Sequence, residues 1–331
     1  MRLDSARGLK ELLTKTVLAP QTALVFSFKS ADLPAGSISA VQPSIAIGIG
    51  TQGPGNFVIA VRCQRLELMT GKEIVQIRKK ARGEVDVRFV GPITKRTTPW
   101  TRQRHRPVPM GASLGHFDVT AGTLACFVRN ADENAPLILS NNHVLANENK
   151  SKIGDAILQP GAADGGKAPA EKVAELAGMV RLKKAGKNQV DGAVAKLLKG
   201  IQYDPRTIRG LGKLAGLGPE FLDEGTEVAK LGRTTGLTHG LVTAFEMDHV
   251  VVNFGLGLLR FDNQIEIEGK DGAAFSRGGD SGALIVDANT RLAIALLFAG
   301  TDIGGFNGQG LTYANPIRAV LKALKVGLLV E

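Results

Sequence analysis

The chain has 331 residues, 44% of them hydrophobic and 22% charged, with a formal net charge of +10. That length supports more than one core, and that balance excludes a disordered or low-complexity chain. No apolar run reaches the roughly 18 residues of a membrane-crossing helix, and two cysteines, Cys63 and Cys126, cannot build the dense disulfide framework of a small secreted domain. The expectations are therefore a cytoplasmic location and no membrane partner. Forty-one glycines and only 5% aromatic residues point to a β-rich chain with tight turns.

The first stretch, "MRLDSARGLKELLTKTV", puts Leu9, Leu12, Leu13 and Val17 on one helical face and lacks the apolar segment and cleavage site of a secretory leader. Short β-branched runs follow: "TALVFSFKS", "SIAIGIG", "NFVIAVRCQ", "EIVQIRKK" and "VDVRFVG". Broken by Gly, Pro and Asn, they predict a small α+β domain over residues 1–105. Within it, "GIGTQG" matches the dinucleotide pattern G-x-G-x-x-G, but Pro54, Gly55 and Asn56 lead into another strand-like run. No helix N-terminus follows to hold a pyrophosphate, so a hairpin is predicted and no nucleotide cofactor. Residues 95–111, "KRTTPWTRQRHRPVPMG", carry three prolines without hydrophobic period and predict a linker. Between Gly71 and Met110, eleven Lys and Arg oppose three Asp and Glu. With Phe89 and Trp100 the only aromatics there, stacking on single-stranded nucleic acid is not expected, and the stretch reads as a solvated basic connector.

From residue 106 onward short strands recur with turn signals between them, which predicts a sandwich or barrel. "EKVAELAGMVRLKK" suits a helix as well as a strand. In "ANPIRAVLKAL", Asn315 can cap a helix, Pro316 suits its first position, and Ile317, Val320, Leu321 and Leu324 form one apolar face.

The run "FSRGGDSGALIV", residues 275–286, crowds glycines around Asp280 and Ser281. A serine hydroxyl attacks at neutral pH only if a base takes its proton, and the oxyanion that forms needs backbone donors aimed at it. Glycines let the backbone present those donors, which here would be the amides of Gly279 and Ser281. Of five histidines, none with metal-site spacing, His143 stands out in "LILSNNHVLAN", delivered by an apolar strand and a short polar turn. The orienting carboxylate has two candidates: Asp191 in "NQVDGAVAKLL", poised at the start of an apolar strand, and Asp155 in "IGDAILQPG".

"LSNNHVLA", "VDGAVAKL" and "GGDSGAL", in this order and with gaps of 48 and 90 residues between His143, Asp191 and Ser281, resemble a trypsin-like serine protease of the chymotrypsin fold. "VAKLGRTTGLTHGLV" is similar to the first hairpin of that family's second barrel, and "ALLFAG" to one wall of its side-chain pocket. "GASLGHFDVTAGTLACFV", "ILSNNHVLAN", "DAILQPGAADGG" and "GRTTGLT" are similar to a poorly characterised bacterial group related to the plant narrow-leaf proteases. The resemblance covers about residues 110–331. It implies a mostly β, chymotrypsin-like double β-barrel with a C-terminal helix over 106–331, preceded by a small α+β N-terminal domain; the separate composition of that domain and its basic connector point to a regulatory or substrate-recruiting role. It also implies a serine endopeptidase acting on protein or peptide substrates through an acyl-enzyme, without metal or cofactor. His143 would be base and then acid, Asp191 its orienter, Ser281 the nucleophile, and the Gly279 and Ser281 amides the oxyanion hole. Phe275, six residues before the nucleophile, would lie at the base of the substrate pocket, with Phe298, Ala299 and Gly300 along a wall. Two features depart from the family: its disulfides are missing, and no activation cleavage sequence is present, so either Asp280 is held by something other than a new amino terminus or the turn is formed from the start. A peptidase in the cytoplasm needs restraint, which homo-oligomerisation or closure by the N-terminal domain would provide. The alternative is a catalytically silent scaffold on the same fold. An esterase of the "GDS" kind carries its motif early in an α/β chain and is not expected.

Overall fold

The apolar run at 57–61 and the tight turn at Gly53, Pro54 and Gly55 make a hairpin of the first two strands in the computed structural model, which describes residues 1–18, 45–91, 93, 97–130, 135–220 and 222–330. The chain divides into two units, Met1–Thr97 and Thr98–Glu331. In the first, α1 (Leu3–Leu13) precedes β1 (Ile45–Gly53) and β2 (Asn56–Cys63), which pair antiparallel. A crossover through α2 (Lys72–Lys80) returns the chain as β3 (Val85–Phe89), parallel to β2. "EIVQIRKK", grouped with the strand-like runs in the sequence, is therefore a helix. Its burial has the helical period: Ile74, Ile77 and Ala81 are inside, whereas Val75 is 59% exposed. Leu13 and Val17 are buried and Leu9 packs against them, but Leu12 is 49% exposed, because i, i+4, i+8 define the stripe and Leu12 falls about 100° away. The run "TALVFSFKS" lies outside the described residues.

The second unit begins earlier than the expected boundary at 105/106. Residues 98–105 are tied into it: Thr101 Oγ1 donates to Arg233 O (2.8 Å), the His105 amide donates to Gln159 Oε1 (2.9 Å), and Gln159 Nε2 donates to Gln103 O (2.8 Å). Its first sheet uses β4 (Ser113–His116), β5 (Gly122–Thr123), β6 (Cys126–Asn130), β7 (Pro136–Ser140), β8 (Ala156–Leu158), β9 (Lys172–Met179) and β10 (Ala193–Leu197), with the one-turn helix α3 (Asn142–Leu145) after β7. "EKVAELAGM" is a strand because β8 and β10 flank it and bond both its edges. The second sheet uses β11 (Glu227–Gly232) and β12 (Gly236–Met247), and after an outlying hairpin of β13 (Val250–Phe254) and β14 (Gly257–Phe261) continues with β15 (Gln264–Gly269), β16 (Leu284–Asp287), β17 (Leu292–Gly300) and β18 (Leu311–Pro316). Then come α4 (Ile317–Leu324) and β19 (Val326–Leu328).

The first sheet runs β19–β6–β7–β10–β9–β8–β4–β5 and is an open half-barrel. The second runs β17–β16–β11–β12–β15–β18, and β18 pairs again with β17, closing a six-stranded barrel. This is a chymotrypsin-like double β-barrel with a C-terminal helix. After α4 the chain crosses back, and β19 pairs with β6 of the half-barrel. Ile317, Val320 and Leu321 are buried as the apolar face of α4 predicts. Its start differs from expectation: Pro316 occupies the cap position and Ile317 is the first helical residue. Asn315 is turned inward, away from the helix end, for a reason given below.

The assignment of α2 is checked by two substitutions in the full chain. Ile77→Ala should destabilise by about 2–4 kcal/mol, because it empties a buried site, whereas Val75→Ala should stay within about 0.5 kcal/mol. Hydrogen exchange of the amides in residues 72–80 is the readout; equal effects would contradict the helical burial pattern.

Candidate active site

A buried carboxylate needs donors, and Asp191, with no exposed surface, has them from the residues around His143. The strand β7 delivers Asn141 and α3 then turns His143 back over β10. His143 Nδ1 lies 2.5 Å from Asp191 Oδ2, and the His143 amide donates to Asp191 Oδ1 at 3.3 Å. The backbone of Asp191 is held from both sides: its amide donates to Asn315 Oδ1 (2.9 Å), and its carbonyl accepts from Asn141 Nδ2 (2.7 Å). Asn315 Nδ2 in turn donates to Gln264 Oε1 (2.6 Å), which is why Asn315 does not cap α4. Asp155, the other candidate carboxylate, pairs with His116 instead, at 3.1 Å.

A proton shared with Asp191 sits on Nδ1 of neutral His143, which leaves the Nε2 lone pair free to accept a proton. Burial disfavours the charged imidazole, but the charge and hydrogen bond of Asp191, with a further contribution from Glu148, outweigh it and raise the His143 pKa above the ordinary 6.5. Glu148 lies in a run of three left-handed residues, Asn147, Glu148 and Asn149 (φ +44°, +52° and +69°), directly after α3. Its Oε1 accepts from the Gly255 amide at 3.0 Å. That bond ties down the tip of the β13–β14 hairpin, and Phe254 beside it meets the His143 ring edge-on with centroids 5.8 Å apart. Neither residue was singled out in the sequence.

The turn carrying Ser281 is built around a second fully buried carboxylate, Asp280. Its Oδ1 accepts from the amides of Thr234 (2.7 Å) and Thr235 (3.1 Å), and its Oδ2 from Thr235 Oγ1 (2.7 Å) and the Arg277 amide (3.0 Å). Lys230 Nζ, equally buried, lies 3.4 Å away and completes an ion pair. Lys230 also donates to Thr235 Oγ1 and to Gly236 O. Burial pulls its pKa down and Asp280 pulls it up, with the net below 10.5. Asp280 is thus held internally by a lysine of β11, with no need for a liberated amino terminus. A lysine inside the strand run "EVAKLG" was the sequence signal for this.

Two glycines in left-handed conformations shape the turn, Gly279 (φ +95°) and Gly282 (φ +90°). A Cβ on Gly282 would run into Ser140 Oγ and Thr123 O; one on Gly279 would come within 2.6 Å of Thr234 Oγ1 and 2.7 Å of Arg233 Nη1. Gly278 O accepts from Thr234 Oγ1 (2.8 Å), so the planar peptide turns the Gly279 N–H the opposite way. Neither the Gly279 nor the Ser281 amide donates to another group among the described residues.

Thr123 joins this turn to the half-barrel: its amide donates to Ser281 O (2.8 Å) and its Oγ1 to Gly279 O (3.1 Å). Arg233 and Asp164 form a two-pronged pair across the barrels, at 2.6 and 2.8 Å. Next to Thr123, Gly122 has no room for a side chain: a Cβ there would lie 2.5 Å from Val144 and 2.9 Å from Ser281 O. Val144 follows His143, so the His143 and Ser281 segments meet at Gly122. No hydrogen bond links Ser281 Oγ to His143 Nε2 in this structure.

The expected pocket residues divide. Phe275 is 1% exposed and packs with Val228, Val242 and Ile265 inside the closed barrel, so it is a core side chain with no surface toward a substrate. Phe298 is buried with Leu182, Leu259 and Phe261 beneath the outlying hairpin, and likewise does not line a pocket. Ala299 is half-buried and Gly300 exposed. Beneath Gly300 lies a buried hydroxyl pair, Ser276 and Thr312, 2.7 Å apart, which the sequence reading missed. Among the described residues no group of three or more His, Cys, Asp or Glu side chains is placed to hold a metal ion, and no helix is long and apolar enough to cross a membrane.

No family model matches the chain, and no curated protein matches it. Solved structures with similar coordinates include a chymotrypsin from Cellulomonas bogoriensis (17% identity, TM-score 0.46, covering 68% of this chain and 99% of that one). Protease A from Thermobifida fusca aligns at 15% identity and a TM-score of 0.47, covering 68% of this chain and 99% of that one. A Nocardiopsis protease aligns at 14% identity and a TM-score of 0.46, over 67% and 98%.

The ion pair under the turn yields a stability test. Lys230→Met leaves Asp280 buried without its counter-charge and should destabilise the second unit by about 3–5 kcal/mol in denaturant melts. The double variant Lys230→Met with Asp280→Asn should recover part of that loss; a single variant as stable as the parent would rule out the pairing as a support of the turn.

Proposed function

We propose that the second unit is a serine endopeptidase and that His143, Asp191 and Ser281 are its catalytic triad. The observation that carries this reading is the buried Asp191 carboxylate on His143 Nδ1, beside a turn whose Gly279 and Ser281 amides are unpaired. In the proposed reaction, Ser281 Oγ bonds to the substrate carbonyl carbon while its proton passes to His143 Nε2. The carbonyl electron pair moves onto oxygen, which receives the Gly279 and Ser281 N–H groups. When the tetrahedral adduct collapses, the C–N bond breaks and the imidazolium gives its proton to the leaving amine. Water then repeats the sequence on the acyl-enzyme and frees Ser281. His143 and Ser281 have to draw together for the first step, a tightening that substrate binding commonly supplies. The missing Ser281–His143 bond is also what a silent scaffold would have, and it is the observation favouring that second reading.

The first unit, on this proposal, regulates the peptidase or recruits its substrates, and the chain works on proteins or peptides in the cytoplasm. Comparing peptidase rate and selectivity with and without residues 1–97 tests the first part; identical values would remove it.

A fluorophosphonate probe separates enzyme from scaffold. Labelling of the parent and none of Ser281→Ala is expected; an unlabelled parent that is folded, with peptide substrate also uncleaved, supports the scaffold. The pH profile is a second test. Because neutral His143 is the base and its pKa is raised, kcat/KM should rise with pH through a midpoint above 6.5. Asp191→Asn removes the charge that raises it, so the midpoint should fall and kcat drop by about 10⁴-fold. A midpoint unmoved by that substitution would argue against His143 as the base.

A further inference from the structure

The second unit has a cleft of about 880 Å³ that none of His143, Asp191 or Ser281 lines. Its rim carries Arg181, Lys183 and Lys187 from the segment after β9, and Arg318 and Lys322 from α4. Glu220 and Glu246 are the acidic residues on it, so among the described residues five cations face two carboxylates. Arg318 donates twice to Gly218 O, at 3.0 and 2.6 Å. The side chains of Arg181, Lys183, Lys187 and Lys322 form no ion pair or hydrogen bond among the described residues, and all four are exposed. The floor is apolar: Val190, Ile265, Ile294 and Ile317 are buried beneath the rim.

From this arrangement we propose that the cleft is a docking site for an acidic segment of another protein, one with an apolar side chain set between its carboxylates. Four unpaired cations around one cavity repel each other, and a ligand with several negative charges relieves that repulsion. A volume within the usual 300–1,000 Å³ of a binding pocket accommodates a few residues of peptide. Nucleic acid fits less well, because Phe245 is the single aromatic among the described lining residues, while a sugar–phosphate backbone leaves the apolar floor uncovered. A single fatty carboxylate would neutralise one of cations that stand on two separate walls. The cleft also abuts the proposed triad from behind, since its lining residues Val190 and Pro316 are the chain neighbours of Asp191 and Asn315. Docking at this cleft is independent of the peptidase reading, because it needs no catalytic competence.

The test is fluorescence anisotropy on the full chain, using a labelled hexapeptide of alternating Asp-Glu pairs and leucines. Saturable binding is expected. Replacing its acids by Asn and Gln, or its leucines by Ser, should weaken it. The pairs Lys183→Glu with Lys187→Glu, and Arg181→Glu with Lys322→Glu, should each weaken it at least about tenfold. These side chains are exposed and make no internal bonds, so unchanged thermal melts and circular dichroism serve as the folding controls. Absence of binding up to about 1 mM, a Kd the charge reversals leave unchanged, or equal binding of the uncharged peptide would each overturn the proposal. So would a short single-stranded oligonucleotide that binds more tightly and loses affinity on the same reversals.

Discussion

A carboxylate with no exposed surface has to be met by enough donors to replace water, and the turn around Ser281 is organised by meeting that demand for Asp280. Two threonine amides, one threonine hydroxyl, the Arg277 amide and the Lys230 ammonium converge on two oxygens. Once they do, residues 277–282 have little freedom left. Asp280 is drawn into the barrel, so its neighbours on either side are turned outward. The left-handed Gly279 and Gly282 follow, because contact with Thr234 and Arg233 on one side and Ser140 and Thr123 on the other leaves no space for a Cβ.

The second buried carboxylate applies the same logic across the seam. Asp191 belongs to the half-barrel, but the side chain that fixes its amide is Asn315, at the end of the last strand of the closed barrel, and Asn315 is held by Gln264. Thr123 reaches the other way, from the half-barrel to both Gly279 and Ser281. The Arg233–Asp164 pair ties the barrels a little further along. Each barrel therefore positions a segment of the candidate site that belongs to the other.

Several parts of this were legible in the sequence. The order and spacing of the His143, Asp191 and Ser281 segments pointed to the double barrel, and the hairpin at 45–63 was readable because a proline and a glycine stand where a helix would have to begin. Where the reading failed, contacts from a distance had the deciding influence. "EIVQIRKK" has a β-rich composition, but it crosses between two parallel strands and pairs with neither, and a helix is the short way to make that crossing. Asn315 has the composition of a cap, yet a buried amide 124 positions earlier takes its oxygen. Phe275 stands at the spacing of a pocket residue, but closure of the six-stranded barrel turns its ring into the core.

By itself the sequence determined the local chemistry: which histidine is presented by a polar turn, which serine is bracketed by glycines, and where the tight turns fall. These follow from backbone sterics and short-range periodicity, which neighbouring residues suffice to express. Tertiary structure decided which carboxylate the histidine meets, Asp191 and not Asp155, which lysine neutralises Asp280, and which phenylalanines vanish into a core. Those outcomes turn on desolvation, and whether water is removed from a group is settled only when segments far apart in the chain close over it.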